Sequence, residues 1–233
     1  MGERMRIGIF SDVHGNAAAL RPVLEELRGN SDALLFLGDL AGYYGFVNEC
    51  ADLWPAEVIG VRGNHDDVLL NALADAKEPT PQYFSRYGSA LWRSVQRLSP
   101  KARCLLEGLP VERTLDFDGL RVAMFHGSPW EPLDGRVYPD FAEWQEFETV
   151  DADVVLLGHT HYPMVREQGQ KLIVNPGSVG QARDRSGTAC FAILDTGSRT
   201  VELKRVGFDC DEVIRDSKEH DPGLPYLWEV LTR

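Results

Sequence analysis

Cysteine is scarce and scattered: Cys50, Cys104, Cys190 and Cys210 stand far apart with no C-x-x-C pair. That spacing excludes a disulfide framework or a thiolate zinc site as the organising device, and the four are read as reduced thiols that mostly pack. Long apolar runs are missing too: none reaches the roughly 18 residues of a membrane-spanning helix, and residues 1–6 lack the apolar stretch of a secretory signal. The expectation is a cytoplasmic chain with no membrane partner. Positive charge is in deficit, with 24 Lys and Arg against 36 Asp and Glu and a net charge of -12. Such a chain, with no Lys/Arg stripe, repels polyanions, so duplex nucleic acid is not expected as a partner, although bound cations could make one pocket attractive to phosphate. Internal repeats and low-complexity segments are absent as well.

What remains is an ordinary globular composition, 233 residues at 43% hydrophobic, long enough for one large core. Residues 6–11 read as a short apolar strand, followed at 16–28 by Leu20, Val23, Leu24 and Leu27 at the spacing of one helical face. The same grammar returns at 33–37 and 57–61, each strand ending in a polar cluster. Residues 67–108 read as a helical insertion or cap, with Tyr83, Tyr87, Leu91, Val95 and Leu98 three to four residues apart. Strands return at 111–117 and 120–125 around the hairpin signal Asp118-Gly119, then at 153–157, 163–167, 171–174, 188–194 and 200–206, with a helical stretch at about 139–148. Early strand-helix order and late strand-strand order predict an α/β fold of sheets packed face to face with helices outside. The division is a domain at 1–208, with the insertion at about 67–108, and a helical tail at 209–233.

Chemistry gathers where strands end. Asp12 and His14 follow the first strand, and alternation in an extended segment would aim both the same way. Gly38-Asp39, Gly63-Asn64-His65-Asp66, His126-Gly127 and Gly158-His159-Thr160-His161 hold equivalent positions after other strands, the carboxyl ends where ligands of such sheets bind. Asp, His and Asn without thiolate suit hard or borderline cations: manganese is the preferred expectation, and iron, zinc, nickel and cobalt fit the same donors. A shared carboxylate can hold two cations roughly 3.5–4 Å apart, and Asp39 is the candidate bridge.

In order and spacing, these motifs resemble those of the calcineurin-like metallophosphoesterase superfamily, and residues 175–180, Asn-Pro-Gly-Ser-Val-Gly, extend the likeness to its bacterial members. The resemblance implies a four-layer α/β/β/α sandwich of two mixed sheets and two divalent metal ions. Carried over by position, it assigns one metal to Asp12, His14, Asp39 and His161 and the other to Asp39, Asn64, His126 and His159. It further implies that a bridging water or hydroxide attacks phosphorus in line, and that His65, oriented by Asp66, protonates the leaving oxygen. Ser/Thr protein phosphatases of the superfamily follow the second motif with Arg, whereas Leu40-Ala41-Gly42 follows Asp39 here, so that assignment loses support. Some small bacterial phosphodiesterases carry Cys where this chain has His65, which keeps monoester hydrolysis open.

The expected activity is hydrolysis of small phosphodiesters, because the compact chain lacks a basic groove for polymers. The alternatives are a phosphomonoesterase and, from another class, a metal-bound scaffold without turnover. Several residues admit a plainer reading. His65 and Asp66 could form a pair that only stiffens the site, and Asn64 could be a turn residue. Gly177 to Gly180 fits a tight loop or a phosphate cradle, and Arg183 and Arg185 fit either substrate or acidic neighbours. Tyr43, Tyr44 and Phe46 could wall a base-sized group, with core packing slightly favoured, while Tyr83, Tyr87 and Trp92 read as a helix packing face and His220 as surface.

Overall fold

The computed structural model describes residues 4–75, 80–184 and 187–232; Arg185 lies outside them. The chain begins with β1 (Arg6–Phe10), α1 (Ala17–Arg28), β2 (Ala33–Phe36), α2 (Val47–Leu53) and β3 (Ile59–Gly60). Next come α3 (Asn64–Asp75), α4 (Pro81–Tyr87), α5 (Ala90–Arg97) and α6 (Pro100–Glu107). The second half holds β4 (Glu112–Phe117), β5 (Leu120–Phe125), β6 (Val154–Leu156), β7 (Met164–Gln168), β8 (Lys171–Asn175), β9 (Ala189–Asp195) and β10 (Thr200–Val206). It closes with α7 (Asp211–His220) and α8 (Tyr226–Glu229).

Two mixed five-stranded sheets result, ordered β10-β9-β1-β2-β3 and β4-β5-β6-β8-β7. In the first, β1, β2 and β3 run parallel; in the second, β5, β6 and β8 do. Alternation along these strands supplies both faces of each sheet. Ile7, Ile9 and Leu35 meet Val122, Met124, Val154 and Leu156 in the layer between the sheets. Phe10 and Phe36 point the other way, against Leu20, Leu24, Cys50 and Leu106 of the helices. Asn16 starts α1 by accepting the Ala19 N–H at 3.1 Å, which satisfies one of the amides that the first turn leaves unpaired.

Ala123, Phe125, Val155 and Ile173 face outward on the second sheet and are covered by Trp144 and Phe147. The fourth layer is therefore thin. The helix expected at 139–148 is a 3-10 helix at Trp144–Thr149, whose three-residue turn sets Trp144 and Phe147 on one side. Two further differences concern helices. α2 was not anticipated, because only Val47, Cys50 and Ala51 of its seven residues are buried and no side chain caps it. The helical stretch expected from residue 67 starts at Asn64, so Asn64, His65 and Asp66 form its opening turn.

The last two helices fold back on the insertion. Tyr44 donates its hydroxyl to the Leu227 carbonyl at 2.9 Å, inside a cluster with Tyr43, Val213, Val230 and Leu231. Asp221 accepts from the Ser89 amide at 2.8 Å and its hydroxyl at 3.0 Å, Arg93 grips Asp216 through two bonds of 2.9 and 2.8 Å, and Tyr226 donates to the Arg86 carbonyl. Among the described residues, no helix is long and apolar enough to cross a membrane.

The Arg93–Asp216 pair is largely withdrawn from solvent, with side-chain exposures of 14% and 18%. Asp216→Ala leaves a guanidinium without its partner and should lower unfolding stability by about 2 kcal/mol. Urea denaturation reads the effect, and an unchanged midpoint would mean that the apolar cluster around Leu227 alone holds the tail.

Candidate metal centre

The parallel pairing of β1 with β2 continues past the strands. Asp12 N–H bonds Gly38 O at 2.9 Å, His14 N–H bonds Asp39 O at 2.9 Å, and Gly15 N–H bonds Leu40 O at 2.7 Å. In the second sheet Gly158 N–H reaches His126 O at 2.8 Å. With the His65 N–H on Asp39 Oδ1 at 2.8 Å and the His159 N–H on Asp12 Oδ2 at 3.1 Å, these bonds bring the loops after β1, β2, β3, β5 and β6 to one floor. Asp12 and His14 do not converge by extended alternation as expected, since their φ angles are 55° and 52°. Seven described non-glycine residues have positive φ, and five of them are Asp12, His14, Asp39, His159 and His161. Left-handed backbone turns each of these side chains inward, and such strain concentrates at functional sites.

Two groups of donors share Asp39. On one side Nε2 of His14 lies 2.9 Å from Nε2 of His161, 3.7 Å from Asp12 Oδ1 and 3.8 Å from Asp39 Oδ2. Across the site, Nε2 of His126 lies 3.2 Å from Asp39 Oδ2 and 3.1 Å from Asn64 Oδ1, which is also 3.1 Å from Nδ1 of His159. Asp12, His14, His126 and His161 are buried. Asn64 opens α3 with a helical backbone, which removes the reading of it as a turn residue.

The surroundings fix the ring nitrogens. Nδ1 of His14 faces the Ala41 carbonyl at 3.2 Å, that of His126 the Leu37 carbonyl at 2.7 Å, and that of His161 the Gln181 carbonyl at 2.7 Å. A carbonyl can only accept, so each Nδ1 carries the proton and each Nε2 presents a lone pair inward. Two such lone pairs at 2.9 Å repel unless something positive lies beside them. Asp12 Oδ1 is buried there without a hydrogen-bond partner. This donor set fits divalent cations, because imidazole and carboxylate together match their charge and coordination. Without a cation, the histidines divide. Burial works against a charged His126, yet the adjacent Asp39 carboxylate pushes it up to about 10. Burial pushes His161 down to about 4 and His159 down to about 3.

A family model described as the calcineurin-like phosphoesterase superfamily domain matches residues 5–199. The chain belongs to that superfamily. An uncharacterised protein of Methanocaldococcus jannaschii is 29% identical over 223 residues, 87% of this chain and 88% of that protein. A metallophosphoesterase structure from Sphaerobacter thermophilus, 28% identical, superposes with a TM-score of 0.79 over 99% of this chain and 98% of its own. A hypothetical protein from Pyrococcus horikoshii, at 21% identity, shares the fold with a TM-score of 0.80 over 97% of both chains. The protein is a phosphoesterase, a hydrolase with a His/Asp cluster suited to divalent metal ions, on an α/β fold of two mixed sheets.

The walls of the phosphoesterase site lie beyond its motifs. A cavity of about 220 Å³ opens over Asp39, His65, His159 and His161 and is lined by Tyr43, Arg86, Tyr87, Arg136, Tyr138, Arg183 and Tyr226. His65 sits among Tyr43, Tyr83 and Tyr87, with its Nδ1 2.6 Å from the Tyr83 hydroxyl. The expected pairing of Asp66 with His65 is not made. Both Asp66 oxygens are spent on backbone amides, those of Asp39 at 2.9 Å, Ala41 at 2.9 Å and Gly63 at 3.1 Å. Burial and the Asp39 charge push the Asp66 carboxyl up to about 7 against the pull of those amides. Gly177 to Gly180 proves to be a tight loop: its amides bond Asn175 Oδ1 at 2.9 Å, Ser11 O at 3.0 Å and Asp12 O at 2.9 Å. Arg183 reaches the cavity, donating to the Tyr43 hydroxyl at 2.7 Å. Tyr43 walls the cavity, Tyr44 is core, and Tyr83 and Tyr87, read from sequence as packing, face His65. Arg86, Arg136, Tyr138 and Tyr226 carried no signal, since none belongs to a periodic face or a motif.

Two glycines have no substitute here. A Cβ on Gly42, whose φ is +152°, would lie 2.2 Å from His14 Nδ1, and one on Gly63 would lie 2.1 Å from Asp39 Oδ1. Gly42→Ala should therefore fold with most of its divalent metal lost, whereas Gly207→Ala, where a Cβ meets nothing within 4 Å, should load normally. Elemental analysis of the purified variants distinguishes them, and full metal content in Gly42→Ala would disprove the assignment of His14.

Proposed function

We propose that the chain hydrolyses small phosphodiesters at a two-metal centre, with Asp12, His14, Asp39 and His161 holding one cation and Asp39, Asn64, His126 and His159 the other. The observation that carries this reading is the position of Asp39 Oδ2, within 3.8 Å of a ring nitrogen in each donor group. When bound, a cation pair supplies Lewis acidity toward phosphoryl oxygens and acidifies water. The protein's own groups do the rest. The second oxygen of Asp39 accepts the His65 amide at 2.8 Å, which ties the bridge to the start of α3. Nδ1 of His65 is taken by Tyr83, so the other ring nitrogen is the one that can hand a proton to the leaving oxygen. Asp66 is a positioning residue that holds the loop carrying Asp39 and Ala41. Tyr83 takes over the orienting role first given to Asp66.

The cavity supports a small substrate, because about 220 Å³ falls below the roughly 300–1,000 Å³ usual for sites that enclose drug-sized ligands. A second reading, phosphomonoester hydrolysis, is favoured by Arg136 and Arg183 beside the donors, since a monoester dianion gains more from them than a diester. Manganese is the proposed native metal.

Four measurements test the scheme. Chelator-stripped protein should lose turnover of aryl phosphodiesters and regain it on titration with Mn²⁺. Asp39→Asn should cut turnover on the order of 10³-fold while keeping the fold, and full activity in a metal-replete variant would sink the bridge. His65→Ala should keep its metals and slow by roughly 100- to 10,000-fold. Tyr83→Phe should lower kcat by roughly 10- to 100-fold with KM little changed. Its loss should grow as the leaving alcohol becomes a poorer leaving group, and a loss equal across leaving groups would assign Tyr83 to packing.

A further inference from the structure

Three guanidinium groups face a cavity in a protein whose net charge is -12. Among the described residues none of the three, Arg86, Arg136 or Arg183, has a carboxylate within ion-pair distance, whereas Arg93, Arg103, Arg121 and Arg205 do. They divide by position. Arg136 directs Nε to Nε2 of His159 at 3.3 Å, and Arg183 bonds Tyr43, whose ring packs against His14 with centroids 4.5 Å apart. Both therefore flank the donor clusters, where a phosphoryl group would sit. Arg86 comes from the insertion and stands apart. Its guanidinium lies over the Tyr87 ring, 5.2 Å from the centroid, and that ring meets His65 edge-on with centroids 4.7 Å apart. The sequence His65, Tyr87, Arg86 thus sets a positive charge one aromatic ring beyond the residue that faces the leaving oxygen. Tyr226 holds the end of α4 by donating to the Arg86 carbonyl, which keeps this wall from drifting.

We infer that Arg86, with Tyr87 and Tyr226, forms a subsite for a second anionic group, a phosphate or carboxylate carried by the leaving group of the substrate. This rests on the phosphoesterase reading with His65 on the leaving-group side. A leaving alcohol with its own negative charge is then bound at both ends, while a neutral one of equal size leaves Arg86 unused. The paired arginines near the donors serve the reacting phosphoryl and do not discriminate between the two.

The test uses the metal-loaded full chain and matched esters whose leaving phenols differ only in charge, 4-carboxyphenyl and 4-carbamoylphenyl. Each is offered both as the phosphate monoester and as its methyl diester. Wild type should prefer the carboxylate, and Arg86→Ala should reduce the ratio of kcat/KM for carboxylate over carbamoyl about tenfold, the scale of one charge-assisted hydrogen bond. Arg86→Lys should retain part of the preference. An unchanged ratio in Arg86→Ala, or an equal loss on both esters, overturns the subsite. If wild type turns over none of the four esters with any metal, the phosphodiester and phosphomonoester readings fall instead. Calorimetric titration with 4-hydroxybenzoate and 4-hydroxybenzamide then decides the subsite alone: tighter binding of the carboxylate by wild type but not by Arg86→Ala supports it, and equal binding overturns it.

Discussion

Left-handed backbone at five inward-facing residues is the constraint on which the rest of this structure depends. An L-residue with a side chain resists that conformation by roughly 1–2 kcal/mol, and Asp12, His14, Asp39, His159 and His161 all adopt it. The opposing force is the sheet. β1 and β2 pair in parallel, and their ladder runs on into the loops through the bonds of Asp12, His14 and Gly15 to the Gly38, Asp39 and Leu40 carbonyls. Those loops cannot relax without unzipping the ladder, which in turn is clamped by the apolar layer of Ile7, Ile9 and Leu35 against Val122, Met124 and Val154. The strain of the site is thus offset by the apolar layer beneath it, which reaches the site through Leu37, whose carbonyl meets His126 Nδ1.

The fold was legible because its strands carry simple patterns. The apolar run at residues 6–11, the Asp118-Gly119 turn, whose φ angles are both positive, and the polar clusters after each strand led to the sheets and to the donors. What stayed hidden was whatever depends on docking between distant elements. Asp66 follows His65 in sequence, yet neighbours on a helix do not face each other, so its carboxylate serves the β2 loop while Tyr83, 18 residues onward and in another helix, meets the imidazole. Arg86, Arg136 and Tyr226 arrive from the insertion, a loop and the tail, and only the assembled chain brings them to one cavity.

Charge follows the same division between local and global. The chain as a whole carries an excess of acid, with a net charge of -12. Inside the cavity the balance inverts, since guanidinium groups supply the rim and the cation-binding floor lies beneath. A phosphate ester approaching this protein is repelled until it reaches the mouth, where short-range attraction takes over within about one Debye length, roughly 8 Å at physiological ionic strength. Selection by such a site operates at contact and not through long-range steering.

The position of β1 has a consequence for how the molecule is made. This strand lies between β2, its near neighbour in sequence, and β9, where Ile7 pairs with Leu194. The first sheet therefore stays open on one side until most of the chain is available. Pairing across so long a separation raises contact order and slows folding. The donor floor likewise draws on residues as far apart as Asp12 and His161, so cation capture by this chain reports that both sheets have come together.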